Sequence, residues 1–146
     1  MNHVELRFNA VMSNIAFART SICAFVASLN PTLEEIAEIK TLVSEAVSNA
    51  IIHGYKMNGN RYVYVKAKNK DNLLEIVVQD YGVGIKDIEK AMTPSFTTFS
   101  EAEHAGMGIT IMQSLADSFS IHSNIGLGTK VVIKKELSGN LMEVLK

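Results

Sequence analysis

Ser44-Glu45-Ala46-Val47-Ser48-Asn49-Ala50 places a carboxylate and an amide one helical turn apart in a largely apolar segment. On a helix, Glu45 and Asn49 lie on one face, about 6 Å apart along the axis. His53 continues the same face. Because the surrounding residues are mostly apolar, the polar pair is predicted to line a cleft. The alternative interpretation is an ordinary acid and amide on a solvated helix face.

This pair of oxygen donors suits a magnesium ion that carries a triphosphate. Magnesium takes oxygen ligands and retains several water molecules and phosphate oxygens. In this interpretation Asn49 binds the metal without adding charge, and Glu45 remains free to act as a base. The helix is therefore predicted to carry a magnesium nucleotide site.

A second fragment, Asp80-Tyr81-Gly82-Val83-Gly84, follows an apolar run and is expected at a strand end. There the carboxylate of Asp80 can accept a hydrogen bond from an exocyclic amine such as that of adenine. Gly82 and Gly84 are expected to adopt positive φ and to let the backbone pass close to the base. A simple glycine turn after a strand is the alternative.

A third fragment, Gly106-Met107-Gly108, is expected to open a helix that begins at Gly108. Free backbone N–H groups at the positive end of that helix would bind phosphate, although the fragment can also be read as a flexible helix entry.

The polar, small-residue segment before Gly106, residues 93–105, is the best candidate for a mobile lid. No Walker loop is present, because the sequence contains neither Gly-Lys-Ser nor Gly-Lys-Thr.

Length and charge limit the possible classes of protein. The chain has 146 residues and a net charge of −1, which predicts one domain over residues 1–146 with a loosely ordered tail at 136–146. The absence of a broad basic field argues against direct binding to nucleic acid or to a membrane surface. No signal-peptide pattern or apolar run near the roughly 20 residues that span a bilayer is seen, so a cytoplasmic location is expected.

The hydrophobic periodicity predicts the order of the secondary structure. It indicates a strand over residues 4–8, a helix over 15–29, a second helix from Thr32 with a capping box to Glu35, and two hairpins, at 62–78 and 119–135. The predicted fold class is α/β, a two-layer sandwich with a mixed, mostly antiparallel sheet and helices on one face.

Several of these stretches resemble the GHKL superfamily of ATPases and kinases. The similarity extends over about Val4 to Lys135 and is closest to the bacterial anti-sigma serine kinases of sporulation. The resemblance implies the ATP-binding (Bergerat) fold of that superfamily. The stretches that carry it most clearly are Phe17-Ala18-Arg19, Glu45-Ala46-Val47-Ser48-Asn49-Ala50-Ile51-Ile52-His53-Gly54-Tyr55, Pro94-Ser95-Phe96-Thr97-Thr98 and Gly106-Met107-Gly108-Ile109-Thr110-Ile111-Met112.

The resemblance also implies roles for individual residues, with ATP, ADP and Mg²⁺ as cofactors. Glu45 would be the general base, Asn49 the magnesium ligand and nucleotide contact, and Asp80 the residue that reads the adenine amine. The remaining residues implied to bind nucleotide are Gly82, Gly84, Thr97, Thr98, His104, Gly106, Met107, Gly108 and Thr129.

The implied reaction moves the γ-phosphoryl group of ATP to a serine of an anti-anti-sigma protein. A homodimer with bound nucleotide would also hold a sporulation sigma factor away from RNA polymerase, with Arg19 at the sigma contact.

Two positions depart from the usual pattern of the family. Ile15 replaces an acid, which affects part of the sigma contact, and His104 replaces an arginine. His104 would reach the γ-phosphate only partly charged at neutral pH, or would simply be an exposed loop residue.

Three alternatives of other classes remain open from the sequence. The chain could be a nucleotide-dependent sigma-binding module with little kinase activity, or a stand-alone ATPase of the same superfamily. A detached catalytic domain of a histidine kinase is a third alternative, although no upstream helix pair with a phosphoacceptor histidine is seen. These alternatives differ in where the phosphate goes: to protein, to water or nowhere.

Overall fold

The computed structural model describes residues 1–88, 91 and 100–139, with side chains described except at 100–106. The strands are β1 (Asn2–Asn9), β2 (Tyr62–Lys70), β3 (Leu73–Asp80), β4 (Ser118–Asn124) and β5 (Gly128–Glu136). The helices are α1 (Asn14–Val26), α2 (Leu33–Asn49) and α3 (Ser100–Leu115). A 3₁₀ turn, Ala27–Leu29, extends α1, and a π-helical turn, Ala50–Gly54, extends α2.

The strands form one sheet in the order β1-β2-β3-β5-β4, and all four pairings between neighbours are antiparallel. Buried apolar side chains of α1, α2 and α3 pack with those of the sheet into one hydrophobic core. The predicted two-layer α/β sandwich is confirmed, including both hairpins, and the sheet that was expected to be mixed and mostly antiparallel is antiparallel at every described pairing. Within residues 1–88, 91 and 100–139, no helix is long and apolar enough to cross a membrane.

Strand β3 carries an acidic residue into the buried layer. Along it Leu74, Ile76 and Val78 are buried, and Asp80 continues the same face. Because successive side chains of a strand point to opposite faces, this register turns the Asp80 carboxylate toward the core side of the sheet. Hydrophobic alternation thus positions a polar group at the edge of the core.

The start of α2 is held by the predicted capping box. The Thr32 hydroxyl accepts a hydrogen bond from the Glu35 N–H at 3.0 Å, and Glu35 Oε1 accepts one from the Thr32 N–H at 2.9 Å. The Glu35 carboxylate also accepts a hydrogen bond from the backbone N–H of Ser138 at 2.9 Å. The first residues of the predicted tail therefore pack against α2, while residues 140–146 lie outside the described part of the chain.

The prediction that a helix begins at Gly108 is wrong, because α3 begins at Ser100. The segment Ser100-Glu101-Ala102-Glu103 contains good helix formers, and their propensity outweighs the roughly 1 kcal/mol that each interior glycine costs. Most of the predicted lid, residues 93–99, lies outside the described residues. The rest of it, residues 100–105, has a helical backbone.

A buried lysine on β5 links the sheet to two helices. Lys135 is 7% exposed, and its Nζ forms an ion pair with Glu38 Oε2 at 2.5 Å. The same ammonium donates a hydrogen bond to the carbonyl oxygen of Leu115, the last residue of α3, at 3.0 Å. A cation at this position satisfies a helix-terminal carbonyl and interacts favourably with the helix dipole.

Lys135→Ala is expected to lower the free energy of unfolding by about 2–4 kcal/mol, because it leaves the Glu38 carboxylate and a helix-terminal carbonyl without their donor. Lys134→Ala is the matched control, since Lys134 is exposed on the same strand and its loss should change stability by less than about 0.5 kcal/mol. Urea denaturation measures both. Equal losses for the two variants would contradict the prediction.

Candidate nucleotide site

A cavity of about 220 Å³ lies between α2 with its π-helical extension, the ends of β3 and β5, and α3. Its walls are mostly apolar with a few polar groups, as is typical of sites for small ligands. Four residues predicted from the sequence meet in it: Asn49, Asp80, Gly84 and Thr129. The other lining residues are Ala46, Ala50, His53, Gly54, Lys56, Val78, Val83, Ile85, Ala91, Ile109, Ile121 and Val131.

Asp80 supplies the buried acceptor of this cavity. It is 4% exposed, and its Oδ1 accepts a hydrogen bond from the Gly82 N–H at 2.9 Å. Burial raises the pKa of the carboxyl group above its ordinary value, although hydrogen bonds from the backbone of Gly82 and Thr129 and the charge of Arg61 oppose the rise. A buried carboxylate with few partners is suited to accept a hydrogen bond from a ligand amine.

The glycines around Asp80 are required by close packing. A Cβ atom on Gly54 would lie 2.6 Å from Cγ of Asp80, and one on Gly82 would lie 1.9 Å from the carbonyl oxygen of Gly54. Gly84 has a φ of 78°, as predicted, whereas Gly82 is absent from the residues with positive φ. The expectation of positive φ at Gly82 is therefore wrong: this position needs glycine for the space it leaves.

The Glu45 and Asn49 side chains present two unsatisfied oxygens. Glu45 Oε2 and Asn49 Oδ1 are buried and lack a hydrogen-bond partner within the described part of the chain. Gly108 of α3 lies against them, so that a Cβ atom there would be 2.6 Å from Glu45 Oε2 and 3.5 Å from Asn49 Oδ1. Unpartnered buried oxygens are costly. A hard cation such as Mg²⁺ fits this donor set, because it would supply the missing positive partner.

The glycine pair does not open α3 in this structure. Gly106 and Gly108 lie inside the helix, so their amides occupy interior positions rather than its positive end. Met107 between them is 63% exposed. The side chain of His104 and the whole of Thr97 and Thr98 lie outside the described parts of the chain. Phosphate binding by free amides at the start of this helix is therefore not the arrangement found here.

Thr129 lies opposite Asp80 in the pairing of β3 with β5. Its Oγ1 is 2.8 Å from Oγ of Ser123, a residue of β4 that no sequence pattern indicated. No local motif marks Ser123, since a serine in a strand is ordinary.

Tyr55 was also missed: its hydroxyl donates to the Tyr62 carbonyl oxygen at 2.6 Å and accepts from the Tyr81 N–H at 2.8 Å. Tyr55 could have been noticed as an aromatic residue directly after the apolar helix.

A second groove lies between α1 and α2 and includes Glu45. It has a volume of about 420 Å³ and is lined by Arg19, Lys40, Thr41, Ser44 and Glu45. Arg19 Nη1 donates a hydrogen bond to Ser44 Oγ at 3.2 Å, which holds the guanidinium beside α2. The predicted partner contact and the predicted base therefore share one open surface.

This fold and site define the class of protein: the chain belongs to the family of histidine kinase-like ATPase domains, which it matches over residues 8–135. The resemblance to the GHKL superfamily is thereby confirmed. More particularly, the chain is 47% identical over 137 residues to an anti-sigma F factor of Shouchella clausii. It is 46% identical to one of Bacillus licheniformis and 45% identical to one of Bacillus subtilis. Each of these alignments covers 94% of both chains.

Solved structures support the fold alone. The RsbU and RsbW domains of a Mycobacterium tuberculosis protein match 94% of this chain with a TM-score of 0.66 and 18% identity, and the chain spans 32% of that structure. The catalytic domain of the histidine kinase ThkA matches with a TM-score of 0.56 and 16% identity, covering 94% of this chain and 97% of that one. Both comparisons agree with an ATPase-type α/β sandwich.

Proposed function

We propose that this chain is an anti-sigma factor and an ATP-dependent protein serine kinase of the sporulation type. It would bind a sporulation sigma factor, keep it from RNA polymerase, and phosphorylate a serine of its anti-anti-sigma antagonist. The proposal treats residues 1–146 as one domain that acts in the cytoplasm. Its alternatives are a nucleotide-dependent sigma-binding module with little kinase activity and a stand-alone ATPase.

The position of Glu45 carries the proposal. Glu45 lines the groove of Arg19, whereas Asn49, one turn further along α2, lines the cavity that ends at Asp80. A base at the border between a nucleotide cavity and an open protein-binding groove can serve a hydroxyl that enters from the groove. This arrangement supports transfer to a protein serine over transfer to water.

In the proposed reaction, Glu45 accepts the proton of the serine hydroxyl. The serine oxygen forms a bond to the γ-phosphorus while the bond from that phosphorus to the bridging oxygen breaks, and ADP leaves with the electron pair. Asn49 supplies the oxygen that would hold Mg²⁺, which neutralises phosphate charge when it is bound, and Glu45 remains free to act as the base. Asp80 and Thr129 orient the adenine end, so the main contribution of the protein is positioning.

Two surfaces support the proposed partners. Arg19 is held at the rim of the groove by Ser44 and would contact the sigma factor. Among the described strands β1 is at the edge of the sheet, and its outer side, together with α1, is the proposed homodimer surface. Ile15, where the family usually has an acid, is only partly buried and packs against the core.

The direct test uses γ-labelled ATP, Mg²⁺, the chain and an anti-anti-sigma protein of the same organism. Label on a serine of the antagonist is the expected result. Label released only as inorganic phosphate would favour a stand-alone ATPase, and label retained in ATP would favour a binding module. A parallel gel-filtration run with a sporulation sigma factor of the same organism and ATP should yield a stable complex, and its absence would refute the anti-sigma role.

Asp80→Asn is expected to weaken ATP binding by about 10-fold or more, because the amide places a donor beside the adenine amine. Without nucleotide the same variant should be more stable at pH 7. The folded-state pKa of Asp80 lies above its ordinary value of 3.8. Ionisation therefore costs stability as the pH rises through the window that begins near that value, and asparagine removes this cost.

Calorimetric titration with ATP and GTP, together with urea denaturation at pH 4 and pH 7, tests both effects of Asp80→Asn. Gln79→Asn is the control for a substitution on this strand outside the cavity, since Gln79 is on the same strand but faces away from the core. Unchanged ATP and GTP affinities in Asp80→Asn would remove Asp80 from the binding site.

A further inference from the structure

Ser123 Oγ is the centre of a hydrogen-bond network at the Asp80 end of the cavity. It accepts a hydrogen bond from the Ile85 N–H at 2.7 Å and contacts the carbonyl oxygen of Gly128 at 3.0 Å. Its third contact is Thr129 Oγ1, at 2.8 Å. A serine hydroxyl has one proton and two lone pairs, so three contacts use its full capacity.

The direction of each hydrogen bond in this network follows from the partners. The Gly128 carbonyl oxygen can only accept, so the single hydroxyl proton of Ser123 goes to it. The contact between Ser123 and Thr129 therefore requires Thr129 to donate. The Thr129 proton is committed to Ser123, and only the lone pairs of Thr129 Oγ1 remain for a ligand.

Thr129 and Asp80 both line the cavity and are paired across β3 and β5. With the Thr129 proton committed, these two side chains present acceptors to the ligand. A ligand edge that carries an amino group satisfies them, whereas a carbonyl group would place acceptor against acceptor and leave buried groups unpaired.

We infer that Ser123 is a positioning residue for nucleobase selectivity. It acts through Thr129 by fixing the direction of the threonine hydroxyl, which makes the site favour a purine with an amino group at C6 over one with a carbonyl there. The inference rests on the proposed function, because it assumes that this cavity holds the base of the phosphoryl donor.

The test compares ATP with inosine triphosphate, which has a C6 carbonyl in place of the amino group, carries a proton on N1, and lacks the C2 amino group of guanine. Dissociation constants are measured by calorimetric titration for the unmodified chain, Ser123→Ala, Ser123→Thr and Ser118→Ala. Ser118 is an exposed serine on the same strand and serves as the matched control.

Ser123→Ala is expected to reduce the preference for ATP over inosine triphosphate by about 10-fold, because the freed Thr129 hydroxyl can then donate to the carbonyl. Ser123→Thr should restore the preference, since it retains the hydroxyl, and Ser118→Ala should leave it unchanged. Thr129→Val removes the acceptor itself and should lose the preference too. In the double variant with Ser123→Ala and Thr129→Val, the preference for ATP should fall no further than in the single variants.

Three outcomes would overturn the inference. If the unmodified chain binds ATP but Ser123→Ala retains the full preference, Ser123 is not a selectivity residue, although the proposed function stands. An equal change in Ser118→Ala would show that the effect is a general one on the strand. Failure of the unmodified chain to bind either nucleotide would refute the proposed function and the inference together.

Discussion

Glu45→Gln is expected to lower phosphoryl transfer by about 10²- to 10⁴-fold while it leaves ATP affinity nearly unchanged, which is the usual effect of removing a positioned base. Glutamine keeps the shape of the side chain but cannot accept the serine proton. Because Glu45 Oε2 is buried without a hydrogen-bond partner in the described structure, loss of its charge should not lower the melting temperature.

A radiolabel transfer assay, ATP titration and thermal unfolding of the same preparation separate the roles of Glu45. Glu34→Gln is the matched control, since Glu34 is an exposed acid in the first turn of the same helix, and its transfer rate should equal that of the unmodified chain. Undiminished transfer in Glu45→Gln would refute the base role. A large loss of ATP affinity instead would indicate that Glu45 mainly holds the metal.

Gly82→Ala is expected to lower ATP affinity by about 100-fold or more and the free energy of unfolding by about 2–4 kcal/mol. A Cβ atom on Gly82 would lie 1.9 Å from the Gly54 carbonyl oxygen and 3.0 Å from Asp80 Oδ1. The Gly54 oxygen also accepts the Val83 N–H at 2.9 Å. The added methyl group must therefore separate the loop from the π-helical turn and displace the carboxylate.

Gly126→Ala distinguishes this effect from ordinary glycine strain. Gly126 has a φ of 78°, and a Cβ atom there would meet nothing within 4 Å. It should cost about 1 kcal/mol of stability from backbone strain and leave ATP affinity unchanged. ATP titration and urea denaturation measure both variants. Equal ATP affinities for Gly82→Ala and Gly126→Ala would show that the contact with Gly54 is unimportant.

Much of the fold could be predicted because the hydrophobic pattern over a few neighbouring residues indicates each helix and strand. The alternating residues of β2 and β3 and the capping box at Thr32 and Glu35 are patterns within a few residues. The start of α3 was missed because Gly106 and Gly108 were interpreted as a helix beginning. Propensity summed over the residues before them argues for a longer helix, and the structure begins it at Ser100.

The candidate site was only partly predictable. Glu45 and Asn49 were found because their spacing on one helix is a local property, and Asp80 because it follows an apolar strand. Their catalytic and binding roles remain predictions. The need for glycine at Gly82 has a cause that the local sequence does not contain, since the atom it would clash with belongs to Gly54.

The sequence by itself determined the kinds of element and the polar residues that each presents, because hydrophobic period, helix capping and side-chain spacing act over a few residues. Only the tertiary structure decided which polar groups meet. Ile85 and Ser123 are 38 positions apart, and Asp80 faces Thr129 through the pairing of β3 with β5. Hydrogen-bond direction and steric room depend on such distant partners, and these are brought together only when the strand order of the sheet is formed.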